Sequence, residues 1–413
     1  MECKEKIYGK SGGKMNKAVV VCAKRSPIGN FGGTLKDISA VDLGVRTLKA
    51  ILAETNLDPG AIDEVIVGNV CGAGLGQNVA RQISINSGIP DYVPAYTVNK
   101  VCGSGMKAVT LAALMITTGE AEVIVAGGTE NMSQIPYALK DARWGARMGD
   151  KNMVDLMIRD GLSDIFNDYH MGVTAENLAE KYAISREEQD AFSAMSQNKT
   201  EAAQKSGKFS DEIVPITIPQ RKGDPIVMDK DEMPRPGVTT ESLSKLRPAF
   251  KKDGTVTAAS SSGINDGAAL LLVMSEAKAQ KLGLTPLAYF INSASAGVDP
   301  AIMGYGPVPA IKKVLQKSGW SLNDIELVEL NEAFAAQSLS VFKGLEKEGL
   351  GQLNPEIVNV NGGAIALGHP IGASGARIIV TLLHEMKRRN NKKGLASLCI
   401  GGGMGIASLW ERK

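Results

Sequence analysis

The chain has 413 residues, 44% of them hydrophobic, and 46 basic against 44 acidic side chains give a formal charge of +2. That length allows two or three domains around a substantial core. The near-balanced charge offers nothing to attract nucleic acid or an anionic membrane, and apolar runs such as Val123 to Ala126 fall far short of a bilayer span.

Met1 to Lys14 mix Lys, Glu and Gly with no apolar stretch, so they read as a leader outside the fold and not as a secretory signal. Ala18 to Cys22 is a strand candidate. Ser39 to Glu54 puts Val41, Val45, Leu48 and Ile51 on one helical face, with Ser39 as N-cap and Asp42 three residues on. Val65 to Val70 forms a second strand, Ala95 to Val98 a short extended segment, Ser104 to Thr117 a helix apolar all round, and Glu122 to Ala126 another strand. The spacing of Gly72, Gly74 and Gly76 is G-x-G-x-G with Gln77 in the place of a third fingerprint glycine, so a dinucleotide loop carries little weight.

From Leu287 the pattern starts again. Leu287 to Ile291, Glu326 to Leu330, Ile357 to Val360 and Leu395 to Ile400 are strand-like; Val308 to Lys317, Glu332 to Phe342 and Ser374 to Lys387 are helical. Cys102-Gly103-Ser104-Gly105-Met106-Lys107 is echoed by Gly372-Ala373-Ser374-Gly375-Ala376-Arg377, and Gly127-Gly128 by Gly401-Gly402-Gly403. Strands alternating with helices predict a parallel sheet covered on both faces, here duplicated. The expected domains are a leader 1–14, a first half 15–132, a loop domain 133–282 that includes the return to the core, and a second half 283–413. Within the loop domain, Ser185 to Gln204 is a polar helix with Ser185 as N-cap, and six of the 17 prolines fall between Pro215 and Pro248 among scattered basic residues. Such a segment suits an oligomerisation arm or a cover for a long anionic ligand.

The five cysteines are scattered and include no C-x-x-C pair, so neither a zinc site nor a disulfide framework is expected, and a reducing cytoplasm fits. Of the three histidines, His384 lies on a charged helix and reads as solvated surface. Cys102 sits at a strand-to-helix corner beside glycines that ease a sharp turn. Helix N–H groups there favour thiolate, although a lone cysteine at such a place is more often a small capping hydrophobe. Asn331-Glu332-Ala333-Phe334, Gly368-His369-Pro370 and Cys399-Ile400-Gly401-Gly402-Gly403 also follow strands or precede a helix at what a parallel sheet would make its carboxyl edge. Two thiols, an imidazole and a carboxamide would then converge on one crevice between the halves.

These four blocks, with Val98-Asn99-Lys100-Val101 ahead of Cys102, resemble the signatures of the thiolases in that family's order, and the likeness runs from about Asn16 to the C-terminus. It implies the thiolase fold, an α/β architecture of two duplicated βαβαβαβ halves stacked as a layered α-β-α-β-α core with an inserted loop domain. It also implies an acyltransferase that condenses two acetyl-CoA into acetoacetyl-CoA and CoA through an acetyl-cysteine, with CoA thioesters as substrates and neither cofactor nor metal. By this resemblance Cys102 takes the acyl group, and His369 moves the thiol proton. Asn331 holds a water for an oxyanion hole with His369, and Cys399 removes the α-proton. Gly401 and Cys102 supply N–H groups for a second hole. Binding positions carried over in the same way are His170, Met171, Arg235, Ser242, Leu246, Ala249, Phe250, Ala258, Ser262, Ala333 and Phe334. His170 and Met171 would wall off the acyl end, which points to acetyl and acetoacetyl groups. The resemblance implies a homotetramer too. Departures are Ala259-Ser260-Ser261 in place of the more usual Gly-Asn-Ala, Tyr96 where a smaller side chain is commoner, and Cys71, which belongs to no motif and reads as structural. A decarboxylating ketosynthase of the same fold would lack Cys399, and a non-catalytic acyl carrier would need none of these groups.

Overall fold

The computed structural model describes residues 15–413, so the leader 1–14 and Cys3 lie outside the described residues. The first half runs β1 (Ala18–Arg25), α1 (Ala40–Thr55), β2 (Glu64–Gly68), α2 (Val79–Asn86), β3 (Ala95–Val98), α3 (Ser104–Thr118) and β4 (Val123–Asn131). An excursion containing α4 (Met171–Lys181) and α5 (Arg186–Lys205) then leads to β5 (Asn265–Ser275). The second half comprises β6 (Ala288–Gly297), α6 (Pro307–Ser318), β7 (Leu327–Leu330), α7 (Ala335–Lys347), α8 (Ile371–Arg389), β8 (Lys393–Ile400) and β9 (Met404–Glu411). The caps read from sequence are formed: Ser39 accepts from the Asp42 amide, and Ser185 and Glu188 close a reciprocal capping box on α5.

The strands follow one path, β7-β8-β9-β6-β1-β5-β4-β2-β3. The sheet is mixed, not parallel as expected. Pairs β2–β3, β2–β4 and β7–β8 are parallel, whereas β5 and β9 run antiparallel to both of their neighbours. Sequence gives these two closing strands little signal, because β5 lies inside the expected loop domain and β9 follows a glycine turn. Their apolar residues are buried on both faces, so they show no alternation. The duplication holds for four strands: β1-β5-β4-β2 is repeated as β6-β9-β8-β7, and β3 has no full strand as its counterpart. The expected strand Ile357 to Val360 shrinks to a single bridge, Val328 to Val358, because Pro355 opens a short helical turn and Asn359 has φ 44°. The glycine echo also dissolves. Gly127 and Gly128 lie within β4, whereas Gly401–Gly403 turn β8 into β9, with φ of 82° at Gly402 and 81° at Gly403. Where the second half has that hairpin, the first half has the whole excursion.

Three apolar clusters define five layers. Leu48, Ile51 and Ile83 of α1 and α2 cover Val65 and Val125 on one outer face; Ile311, Val314 and Val341 of α6 and α7 cover Val328 and Leu395 on the other. Between the two halves of the sheet lie α3 and α8, with Met106, Ile116, Ile379 and Leu383 in one cluster. This position corrects the reading of short apolar runs: Val101–Thr118 has a mean hydropathy of 1.4 over 18 residues, which a central core helix requires. It also corrects His384, which α8 carries into the interior, where its Nε2 lies 2.9 Å from the Ala23 carbonyl oxygen.

The pseudo-equivalent helices cross backbone to backbone. A Cβ on Gly375 would lie 2.6 Å from the Met106 nitrogen, and one on Gly105 2.8 Å from the Ala376 nitrogen. Gly375→Ala therefore separates two effects. Helix propensity alone would favour alanine by up to about 1 kcal/mol, so a loss of roughly 1–3 kcal/mol in urea unfolding is the expected mark of the crossing.

Candidate active site

Cys102 follows a sharp corner between β3 and α3. The residue that takes the left-handed conformation is Val101, φ 47°, and not a glycine as expected. A β-branched residue there is strained, and local bonds hold it. The Val101 amide donates to Asn99 Oδ1 (3.0 Å), and Ser104 Oγ accepts from the Lys100 amide (2.8 Å) while donating to the Val101 carbonyl (2.6 Å). Gly103 serves close approach: a Cβ there would lie 2.4 Å from Ile400 Cδ1 beside the second cysteine.

His369 stands between the short turn Ala364–Leu367 and α8. Gly368 has φ 105°, and a Cβ there would lie 2.5 Å from Asn265 Cγ. Asn265 in turn accepts the His369 amide at 2.9 Å and donates to the Gly29 carbonyl at 2.9 Å, so the histidine loop is anchored to the first half. Asn331 leaves β7 fully buried, its own amide bonded to Ser397 O at 3.0 Å, and neither atom of its side-chain amide meets a protein partner. Glu332, expected within a helix, precedes α7 and acts as a buried anchor. Its carboxylate accepts from Ser196 Oγ (2.6 Å), Asn359 Nδ2 (2.8 Å) and the Ile365 amide (3.2 Å), tying the asparagine and histidine loops together.

One cavity of about 380 Å³ is lined by Cys102, His369, Cys399 and Gly401. Among the binding positions it also takes His170, Met171, Ala249, Phe250, Ala258, Ser262, Ala333 and Phe334. The His170 ring stacks on Phe250 (centroids 4.8 Å, 16°), Phe334 meets Phe250 edge-on (5.9 Å, 87°), and the Ser262 amide donates to the Ala333 carbonyl at 2.9 Å. Arg235, Ser242 and Leu246 line a neighbouring cavity of about 570 Å³ that shares Ala258, Ser261 and Gly263 with the first. The Ser242 hydroxyl is engaged in a helix cap with Thr239. The departure at Ala259-Ser260 builds a capped turn, Ser260 Oγ accepting the Thr257 amide at 2.8 Å. Asn331 lies behind the cavity wall. Met132, Gly161, Leu162, Ile264, Met303 and Ile371 also line it, and sequence gives no signal for them because apolar wall residues look like core.

Burial sets the electrostatics. The Cys102 thiol is pushed up to about 11, against the favourable amides of Gly401 and Cys102 itself, so desolvation outweighs the helix terminus that was expected to favour thiolate. Cys399 is also raised by burial, with the nearby Cys102 adding to it. Burial, and then the charge of Arg377, lower His369 to about 4. At neutral pH the cavity holds two thiols and a neutral imidazole, which is a proton acceptor.

Two Cys side chains, a proton acceptor and paired backbone N–H groups around one apolar void define an acyl-transfer site. The chain matches the family model "Thiolase, N-terminal domain" over residues 18–277 and "Thiolase, C-terminal domain" over 284–412. It is 60% identical over 394 residues to an acetyl-CoA acetyltransferase of Allochromatium vinosum, covering 95% of this chain and 98% of that one. It is 58% identical over 399 residues to that of Cupriavidus necator, covering 97% and 100%. The crystal structure of the Bacillus anthracis acetyl-CoA acetyltransferase superposes with a TM-score of 0.93 at 49% identity, covering 96% of this chain and 99% of that one. The chain belongs to the thiolase family.

Proposed function

We propose that this protein is an acetyl-CoA C-acetyltransferase that reversibly condenses two acetyl-CoA into acetoacetyl-CoA and CoA. The observation that carries the reading is the single cavity holding Cys102, His369, Cys399 and Gly401, which shares a wall with a second cavity that Arg235 lines. Cys102 Sγ attacks the thioester carbon while its proton passes to His369. The resulting oxyanion sits against the N–H groups of Cys102 and Gly401, whose donation is favoured in so dry a site. Collapse breaks the carbon–sulfur bond to CoA, and His369 returns the proton to the leaving sulfur. With a second acetyl-CoA bound, the Cys399 proton moves to His369, and the thiolate removes the α-proton. The enolate oxygen rests against protonated His369 and a water held by Asn331. The enolate carbon attacks the acetyl-Cys102 carbonyl, and the expelled Cys102 sulfur regains a proton from His369. CoA thioesters are the substrates, and no cofactor enters.

The short apolar cavity, closed by Met171 and the His170–Phe250 stack, supports acetyl and acetoacetyl groups. A large thioester reaches along the shared wall so that Arg235 meets its anionic end. Exposed Tyr137, Trp144, Met148, Met153 and Phe166 in one stretch of the excursion support a homotetramer. Two working thiols suit the reducing cytoplasm.

Alkylation tests the reading. Iodoacetamide should label Cys102 at least about tenfold faster than Cys22, whose thiol burial pushes up to about 12 with no imidazole beside it, and acetyl-CoA should protect Cys102 alone. Equal rates at the two positions would remove Cys102 as nucleophile.

A further inference from the structure

The hydrogen-bond partners of the three histidines fix which ring nitrogen carries the hydrogen in each. His369 Nδ1 lies 2.6 Å from Ser374 Oγ, and that oxygen lies 2.8 Å from the Pro370 carbonyl. The Pro370 carbonyl can only accept and also takes the Ala373 and Ser374 amides at 2.9 Å each; a serine hydroxyl donated to it presents a lone pair to His369. In that arrangement Nδ1 bears the ring hydrogen, and Nε2 is bare. The other two histidines are the reverse. His170 Nδ1 accepts from the Gly172 amide at 3.0 Å, so Nε2 carries its hydrogen. His384 Nε2 donates to the Ala23 carbonyl at 2.9 Å.

We infer that Ser374 is a positioning residue for acyl transfer: it holds His369 in the Nδ1–H tautomer, so that Nε2 alone takes and returns the protons of Cys102 and Cys399. This rests on the acyl-transfer reading above. The opposite tautomer would turn an N–H toward the thiols and could accept nothing. When Nε2 takes a proton, the Nδ1–H···Oγ bond becomes charge-assisted and shorter, which favours the imidazolium that burial opposes.

Ser374 is held rigidly for this purpose. It is 1% exposed, in the first turn of α8, and the next residue, Gly375, abuts the Met106 backbone at the helix crossing. Glu130, itself buried, accepts the Gly372 amide at 2.9 Å and the amides of Val70 (3.0 Å) and Cys71 (3.2 Å), pinning that turn to the loop after β2. The serine cannot drift with the histidine; it acts as a fixed reference for the ring. In sequence Ser374 was noticed only as part of the echo of Ser104. Ser104 likewise turns its hydroxyl onto a carbonyl, that of Val101, to brace the Cys102 corner.

Nitrogen-15 NMR of the histidine-labelled full-length protein, at a pH about two units above the ordinary imidazole value of about 6.5, tests the assignment. One Nδ1–H ring and two Nε2–H rings are expected, and His369→Ala should delete the former. Ser374→Ala should abolish the Nδ1–H pattern, lower kcat about 10–100-fold and leave KM for acetyl-CoA within about twofold, as loss of an orienting partner does. Three Nε2–H rings in the wild type would overturn the inference. So would a Ser374→Ala protein that keeps the Nδ1–H ring or keeps kcat within about twofold. A wild-type protein with the Nδ1–H ring that takes no acetyl group from acetyl-CoA would instead overturn the acyl-transfer reading, and with it the role assigned to Ser374 but not the tautomer.

Discussion

Cys399→Ala should yield a protein that still takes an acetyl group from acetyl-CoA on Cys102 but condenses at least about 10³-fold more slowly, the range lost with a general base. The two halves of the reaction draw on different atoms. In the proposed mechanism, formation of the acetyl-enzyme uses Cys102, His369 and the N–H groups of Cys102 and Gly401, and the proton of Cys102 returns to the departing sulfur. Only the second step needs a base at the α-carbon. Cys399 is 1% exposed, is the last residue but one of β8 and shares the cavity with the proposed nucleophile. Its raised thiol value makes it a strong base once its proton has passed to His369, which matters because a thioester α-hydrogen is only weakly acidic. Removing one sulfur from that position should cost little stability, so the fold remains a fair background. Intact-protein mass spectrometry reads the acetyl group, and isotope exchange between acetyl-CoA and free CoA reads the first half-reaction. Condensation retained at the wild-type rate would remove Cys399 from the mechanism. Loss of acetylation as well would mean that its thiol serves the first step.

How far the sequence announced this site depends on the kind of residue. Asn331 and His369 are legible as polar groups that packing does not favour, and Cys102 and Cys399 by the glycines beside them where a strand ends or a helix begins. Their supports are not. Asn265 and Glu130 lie on strands and reach the His369 segment from more than 100 residues away, and nothing local distinguishes them. The corner at Cys102 looked like a matter of glycines, yet Val101 carries the positive φ. Neighbouring bonds from Asn99 and Ser104 override what the side chain alone would choose, and such bonds are invisible without the third dimension. The electrostatic expectation failed for a related reason. A helix terminus can be inferred from sequence, but the depth at which it lies cannot, and depth decided the Cys102 thiol. The fold divides in the same way. Amphipathic helices α1 and α5 announced their caps and faces, while β5 and β9, apolar on both sides, had no period to read. His384 looked solvated because charged neighbours flank it in sequence, although α8 is buried along most of its length between the two halves of the sheet.

Asn331→Leu should reduce turnover by about 10²–10³ while leaving the protein as stable as the wild type or more so, the loss being that of one oxyanion donor. The pairing of those two outcomes follows from what surrounds the side chain. Asn331 is fully buried, and among the described residues its amide nitrogen and oxygen find no protein partner, which leaves them for the water of the proposed mechanism. Leucine has nearly the same shape and no polar atoms to satisfy, so folding should not suffer. The backbone at this position is fixed by others: its amide bonds Ser397 O at 3.0 Å, and Leu330 on one side is clasped by Asn359 through bonds of 2.8 and 2.7 Å. A protein selected only for stability has no reason to keep a carboxamide there, whereas the proposed enolate in the cavity needs a donor held in place from behind its wall. KM for acetyl-CoA should stay within about threefold, because the donor strengthens only as negative charge develops. Urea unfolding and steady-state kinetics on the same preparation give both numbers. A marked loss of stability with turnover unchanged would make Asn331 a core residue and would leave the enolate without its donor.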